Sequence, residues 1–166
     1  MSTMDYHQTI LRYLEKNEVS YKTIHHEETA TSEDSARVRG VDLSTGGKAL
    51  ILKVKDDGSN HDFSIFVLSA SRRLHTKAVR KEFKSKNVRF ATREELKALT
   101  DLVPGSVPPF GKPILNFELY VDPSIVENSQ NTIAFNSGSL TDSVIMSVRD
   151  YLKIANPTKI FVFSRE

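Results

Sequence analysis

The 166-residue chain contains no cysteine. That excludes a disulfide framework, a thiolate nucleophile and any Cys-ligated metal site. It also suits the reducing cytoplasm, where the protein is expected to reside. Long apolar runs are lacking too. The segments 49–52 and 65–68 are typical of the longest, far short of the roughly 20 residues that a membrane-spanning helix needs. The N-terminal stretch MSTMDYHQTILRYLEKN carries Asp5 and Glu15 and has no apolar core of the kind a signal peptide requires. No membrane partner is expected. There is no internal repeat, no low-complexity tract and no Pro- or Ser-rich linker, so residues 1–166 read as a single domain, long enough to bury a core without staples.

The charges nearly cancel, leaving a formal net charge of +2, which by itself points to no partner. Their distribution says more. Between 72 and 89 the chain carries Arg72, Arg73, Lys77, Arg80, Lys81, Lys84, Lys86 and Arg89 against one acid, Glu82. Such a stripe can neutralise phosphates, and Arg72, Arg73, Lys77, Arg80 and Lys84 are its candidate residues for contact with a nucleic-acid backbone. A solvated helix face accounts for the same pattern equally well.

Periodicity and capping signals organise the chain. Ile10, Leu11 and Leu14 recur at helical spacing, giving a first helix over roughly 5–17. The segment 19–25 alternates as a strand. Thr31 or Ser32 caps a short helix that Gly40 stops. KALILKVK predicts a strand over 48–55, and DFSIFVLS its antiparallel partner beyond a turn at Asp57-Gly58. A helix after Thr76 turns Ala78, Val79 and Phe83 inward. VRFA is a short strand, and Thr92 with Glu95 forms a capping box for a helix to about Leu99. LVPGSVPPFGKP is too rich in Gly and Pro to be anything but loop. NFELYVD, NTIAFN and SVIM read as strands, Ser147 with Asp150 caps a last helix through Ile154, and KIFVFS closes as a strand. The fold class is α+β (mixed α/β), with the sheet carrying the core.

Three features carry candidate chemistry. In the loop 105–111, Pro108 and Pro109 stiffen the backbone, Gly105 and Gly111 permit tight turns, and the N–H groups of Ser106, Val107, Phe110 and Gly111 are left to point at a ligand oxygen. A well-made connecting loop would look the same. Lys48 follows Gly46-Gly47 and opens an apolar strand, where its ammonium can meet an acyl or phosphate oxygen; a strand-end lysine snorkelling past its neighbours is the plainer alternative. Asn136-Ser137-Gly138-Ser139 is a polar turn whose small residues let a ligand lie close, or simply a turn. Other groups argue against themselves. His25 and His26 are adjacent and, on a strand, point to opposite faces. His7, His61 and His75 lack partners at ligand spacing, so no metal site is expected. Asp56-Asp57 sits in a turn, where carboxylates are routine. Thr29 and Ser32 could line a pocket, although for Ser32 a helix cap is the stronger reading. Phe63, Phe66, Phe117, Phe135, Phe161 and Phe163 lie in strand-like runs and read as core rather than as a base-stacking platform.

Taken in order, the lysine strand GGKALILKV, the loop TDLVPGSVPPFG and the segment IAFNSGSLTDSVIMSVRDYL resemble the YbaK/EbsC family, related to the editing (INS) domain of prolyl-tRNA synthetase. The resemblance runs from about residue 6 to 152. It implies a YbaK-like fold, a mixed, mostly antiparallel sheet or partial barrel surrounded by short helices. It implies an aminoacyl-tRNA deacylase that acts in trans on mischarged tRNA, with proline tRNA bearing a small amino acid as the family's leading case. It places the substrate-proximal lysine on Lys48 and the GxxxP-type loop on residues 105–109, and the later glycine-containing turn on Ser137, Gly138 and Ser139. Lys48, Gly105, Ser106 and Val107 are then the candidate catalytic residues, and Ser32, Pro108, Pro109, Phe110, Gly111, Asn136, Ser137, Gly138 and Ser139 the candidate substrate-binding ones. The sequence departs from cysteinyl-specific members at Ser106, where they have glycine, and at Pro108, where they have serine. The histidine of the later INS segment has no clear counterpart in SGSLTDSVIM. These departures leave the amino-acid specificity open.

With no cysteine and no serine in a nucleophile-elbow motif, the expected attack is by water, or is assisted by a ribose hydroxyl of the substrate itself. Loop amides would bind the ester carbonyl as its charge develops, Lys48 would orient the acyl-adenosine end, and pocket size would choose the amino acid. No cofactor is expected. The partners are mischarged tRNA and, by analogy with domains fused to synthetases, an aminoacyl-tRNA synthetase. The oligomeric state is open. The alternative is a non-catalytic tRNA-binding or synthetase-associated module.

Overall fold

In a computed structural model, residues 5–29, 31–55 and 62–166 are described. The expected turn at Asp57-Gly58, the Asp56-Asp57 pair and His61 lie outside them.

Local chemistry sets most element ends. Helix α1 (Tyr6–Lys16) starts at Asp5, whose carboxylate accepts from the Gln8 amide, and turns Tyr6, Ile10 and Leu14 inward. Helix α2 (Ser32–Arg39) is capped by Thr31 and stopped at Gly40, which takes the left-handed conformation (φ 69°) open to glycine. Helix α3 spans Thr76–Phe83 and buries Val79. Helix α4 (Arg93–Thr100) opens on the reciprocal Thr92–Glu95 capping box. Helix α5 (Val148–Ala155) begins at Ser147, which accepts from the Asp150 amide.

Among the described residues, ten strands form three sheets. The central one has the order β5-β2-β3-β6-β9: β5 is Arg89–Phe90, β2 Gly47–Lys53, β3 Phe63–Ser69, β6 Glu118–Val121 and β9 Lys159–Ile160. β2 pairs antiparallel with β3, Lys48 opposite Leu68, and β6 runs parallel to β3. A second sheet has the order β1-β8-β7, with β1 Tyr21–His25, β8 Asp142–Ser147 and β7 Thr132–Asn136, all antiparallel. A bridge from Gly46 to Ala134 stitches this sheet to the start of β2. The third sheet is the pair β4 (Arg73–Leu74) and β10 (Ser164–Arg165). The architecture is the α+β class expected, with mixed sheets among short helices.

Successive side chains of a strand point to opposite faces, and the central strands are buried on both. Ile51, Ile65 and Val67 join Ile10, Leu14, Phe110, Phe135 and Tyr151 in the larger cluster. Leu52, Phe66 and Leu68 join Val79 and Phe163 in the smaller one, beneath α3. The phenylalanines expected in the core are indeed packed there.

One expected element is divided. KIFVFS forms β9, then leaves the central sheet, and Ser164 pairs with Leu74 instead. The cause is the buried carboxylate of Asp122, just past β6. Its Oδ1 accepts from the amides of Phe163 (2.8 Å) and Ser164 (3.0 Å), drawing the chain across the sheet end. Phe163 then packs edge-on against Phe66.

Candidate functional site

A cleft of about 580 Å³ opens where the N-terminal half of α2, the start of β2, the loop after α4 and the end of β7 converge. Each wall has a local reason. Gly46 and Gly47 bring β2 so close to β7 that a Cβ on Gly47 would lie 2.6 Å from Cδ1 of Ile133. The α2 wall presents the hydroxyls of Thr31, Ser32 and Ser35, with Thr29 bonded to Ser35 at 2.8 Å. Gly105 turns the loop with φ 89°.

Lys48 enters this cleft from β2. Its Nζ donates to the carbonyl of Arg72 at 3.0 Å. Burial lowers its pKa, and the negative charge of Glu33 opposes that fall. The ammonium is thus half-desolvated and anchored on a backbone oxygen, not loose at a strand end.

Arg39 is the residue that sequence reasoning missed. From the last turn of α2 it reaches across the cleft floor. Nε donates to Ser143 Oγ at 2.9 Å and Nη2 to Asn136 Oδ1 at 2.9 Å. Burial brings its pKa down to about 10. Asn136 in turn donates from Nδ2 to the Gly105 carbonyl at 2.7 Å. A guanidinium can only donate and a carbonyl only accept, so the two partners fix the orientation of the amide. His26 Nε2 meets Ser143 Oγ at 2.8 Å and completes the network. In the sequence Arg39 is one of two arginines in SARVRG, indistinguishable from a solvated helix end.

Of the residues singled out beforehand, Ser32, Lys48, Gly105, Val107 and Asn136 meet at the cleft. Ser106 is buried beneath it. Its amide donates to the Val103 carbonyl at 3.1 Å and its Oγ to the same oxygen at 2.8 Å, so the expected unengaged N–H at Ser106 is corrected: it is used within the loop. Pro108, Pro109, Phe110 and Gly111 run into the interior. Phe110 meets the rings of Tyr13, Phe135 and Tyr151, and the Pro109 carbonyl accepts from Tyr151 Oη at 2.6 Å. They back the cleft wall rather than face it. Ser137 is fully buried. Gly138 (φ 69°) lies under Tyr6, whose Cβ would be 2.2 Å from any Cβ placed there. Ser139 donates to the Asp142 carboxylate at 2.8 Å. In the basic stripe, Arg73, Lys77 and Lys84 are exposed and Arg72 and Arg80 partly so; the turn that carries Arg72 touches the cleft through its carbonyl. Arg93, at the start of α4, and Leu140 also line the cleft without having been foreseen. Among the described residues no cluster of three or more metal-ligating side chains exists, and no helix is long and apolar enough to cross a membrane.

This fold, with a polar cleft crossed by an anchored lysine and bounded by a glycine loop, defines a class. Residues 26–154 match the aminoacyl-tRNA editing domain, and the chain belongs to that family. It is an editing hydrolase that cleaves the ester of aminoacyl-tRNA in trans, and aminoacyl-tRNA is its substrate. A curated relative from Escherichia coli (strain K12), the multifunctional Ser/Thr-tRNA deacylase ProXp-y, is 33% identical over 152 residues, covering 91% of this chain and 89% of its own. Among solved structures, a candidate trans-editing enzyme for prolyl tRNA synthetase superposes with a TM-score of 0.78 at 18% identity, covering 99% of each chain. A hypothetical protein of known structure does so with a TM-score of 0.78 at 20% identity, covering 94% of this chain and 99% of its own. These structural likenesses speak for the fold.

Proposed function

We propose that the cleft binds the aminoacyl-adenosine end of tRNA and that the protein removes serine or threonine from it. The observation that carries this reading is that Lys48, anchored on the Arg72 carbonyl, lines the same cleft as Gly105, Val107, Thr31, Ser32 and Ser35. Hydroxyls in the wall suit a hydroxylated side chain, because a site built to hydrogen-bond a substrate OH rejects the analogue that lacks one far more strongly than an apolar pocket can. The likeness to a Ser/Thr-tRNA deacylase points the same way.

Water, assisted by the free hydroxyl of the terminal ribose, attacks the ester carbon. The carbonyl oxygen gains negative charge, and the loop amide of Val107 and the Lys48 ammonium offset it. The tetrahedral adduct then breaks its bond to the ribose oxygen, which leaves as a hydroxyl with the proton that the water gives up, and the free amino acid departs. The amide of Ser106, bonded to Val103, instead holds the loop in shape. Asn136, tied to Gly105 and Arg39, fixes the loop from the opposite wall. Pro108, Pro109, Phe110 and Gly111 support it from within, and Ser137, Gly138 and Ser139 hold the turn beyond Asn136. Arg73, Lys77, Arg80 and Lys84, with Arg72 at the rim, take the phosphates of the acceptor stem. If so, tRNA binding weakens steeply with salt, and charge reversal at Arg80 and Lys84 flattens that dependence. Docking on a synthetase and a cytoplasmic site of action fit this role; a pull-down that captures a synthetase with wild type and Lys48→Ala alike checks the former.

The test is deacylation of a panel of aminoacyl-tRNAs, including serine, threonine, alanine and cysteine on several tRNAs. Rapid loss of serine or threonine, strongly slowed in Lys48→Ala, is expected. Wild-type turnover by Lys48→Ala overturns the lysine's role, and turnover confined to alanine or cysteine overturns the specificity.

A further inference from the structure

The Lys48 ammonium is held by a backbone oxygen, so whatever fixes the Arg72 peptide also fixes the lysine. Two side-chain links do this, and backbone amides hold their far end. The Arg72 guanidinium donates from Nε to Ser164 Oγ at 2.7 Å. Ser164 Oγ donates to Asp122 Oδ2 at 2.8 Å. Asp122 is 2% exposed and Ser164 5%. The same carboxylate accepts from the amides of Phe163, Ser164 and Ser124 at 2.8, 3.0 and 2.9 Å. Among the described residues Asp122 has no direct ion pair, and the nearest link in this chain to a positive charge is Arg72 through the Ser164 hydroxyl. On the other side, β10 is laced to β4, Ser164 beside Leu74 and Arg165 beside Arg73, and the His75 amide donates to the Phe163 carbonyl at 2.7 Å.

We propose that Asp122, Ser164 and Arg72 form a positioning relay, in which the C-terminal strand β10 sets the place of the Lys48 ammonium in the cleft. It rests on the reading of Lys48 given above. The chemistry favours this assignment over plain fold stabilisation. A buried carboxylate that needed only its charge satisfied already has three amide donors. The fourth bond, from Ser164, links the carboxylate outward to the guanidinium of Arg72, the residue whose backbone carbonyl accepts from the cleft lysine. A hydroxyl is the group that can serve both ends, donating to the carboxylate while accepting from Nε. Arg72 is then a positioning residue in addition to any contact it makes with phosphate.

The experiment is steady-state deacylation by Ser164→Ala, Ser164→Thr, Arg72→Met and Lys48→Ala, and by Ser164→Ala and Arg72→Met each combined with Lys48→Ala. Loss of one such hydrogen bond predicts that kcat falls about threefold to tenfold in Ser164→Ala, with KM little changed, and that Ser164→Thr, which keeps the hydroxyl, restores it. Arg72→Met, at a partly exposed position, shows the same fall at low and high salt. In the Lys48→Ala background neither substitution lowers kcat further, the non-additivity that a shared path to one group demands. Full kcat in Ser164→Ala or Arg72→Met, or losses that multiply with that of Lys48→Ala, overturns the relay. Should Ser164→Ala not fold, the Arg72→Met cycle decides alone. Wild-type activity in Lys48→Ala removes the reading beneath the relay, whereas a strongly slowed Lys48→Ala beside a fully active Arg72→Met removes the relay alone.

Discussion

Replacing Asn136 by alanine separates the two walls of the cleft. The amide spans them, accepting from Arg39 Nη2 at 2.9 Å and donating to the Gly105 carbonyl at 2.7 Å. Hydrogen bonds to charged groups contribute about 1.5–3 kcal/mol and neutral ones about 0.5–1.5 kcal/mol. Asn136 is only partly buried, so water recovers part of both, and the expected loss of stability is about 2 kcal/mol. For a chain of this length that lowers Tm by roughly 4–8 °C. Activity should fall by more than the stability loss explains, because the Gly105 turn, at φ 89°, loses its tether just where the acyl group is proposed to sit. Asn136→Asp sharpens the test. It keeps an acceptor for Arg39, and adds charge to that bond, but sets a second acceptor against the Gly105 carbonyl. Stability near wild type with activity as low as in Asn136→Ala is expected. Thermal unfolding and deacylation of the same preparations measure both. An Asn136→Ala protein with unchanged Tm and unchanged turnover refutes the reasoning, as does an Asn136→Asp protein as active as wild type.

Other perturbations test the frame of the site. Gly138→Ala puts a Cβ at 2.2 Å from that of Tyr6, on a residue with φ 69°; α1 must shift, and a loss of soluble, cooperatively unfolding protein or at least about 3 kcal/mol in urea titration is expected. Tyr151→Phe removes the donor to the Pro109 carbonyl at 2.6 Å; with the acceptor left buried and unpaired, unfolding should be easier by about 1–3 kcal/mol, with deacylation per folded molecule nearly intact. Glu95 is held at a pKa of about 2, against an ordinary 4.5, first by the Arg89 guanidinium and then by the Thr92 amide. A depressed carboxylate contributes its stability above its unfolded pKa and loses it as pH falls through the folded value. Arg89→Met should therefore flatten the stability profile between about pH 4.5 and 2 and lower it only slightly at neutral pH, since a surface pair contributes about 1 kcal/mol or less; an unchanged acid limb would contradict this.

What the sequence by itself determined lies in short-range chemistry. Thr31 and Gly40 bound α2, Thr92 and Glu95 start α4, and Ser147 starts α5, because caps act over one turn of backbone and need no tertiary partner. The apolar runs 49–52 and 65–68 announced a pair of strands. Lys48, the glycine–proline loop and Asn136 were legible as a set through their resemblance to the editing-domain family, and Lys48, Gly105, Val107 and Asn136 do line one cleft. Tertiary structure alone decided which of their atoms face it. Pro108 to Gly111 looked like a ligand loop and is mostly interior, because Phe110 fits among Tyr13, Phe135 and Tyr151, a contact across more than twenty residues in either direction. KIFVFS had the composition of one strand and is split, because a carboxylate about forty residues earlier captures its amides. Arg39 crosses the cleft floor to Asn136 and Ser143, residues 97 and 104 positions away. Caps and periodicity are written within a turn or a strand. A desolvated cation and its acceptors are chosen only when sheets from distant parts of the chain close on them.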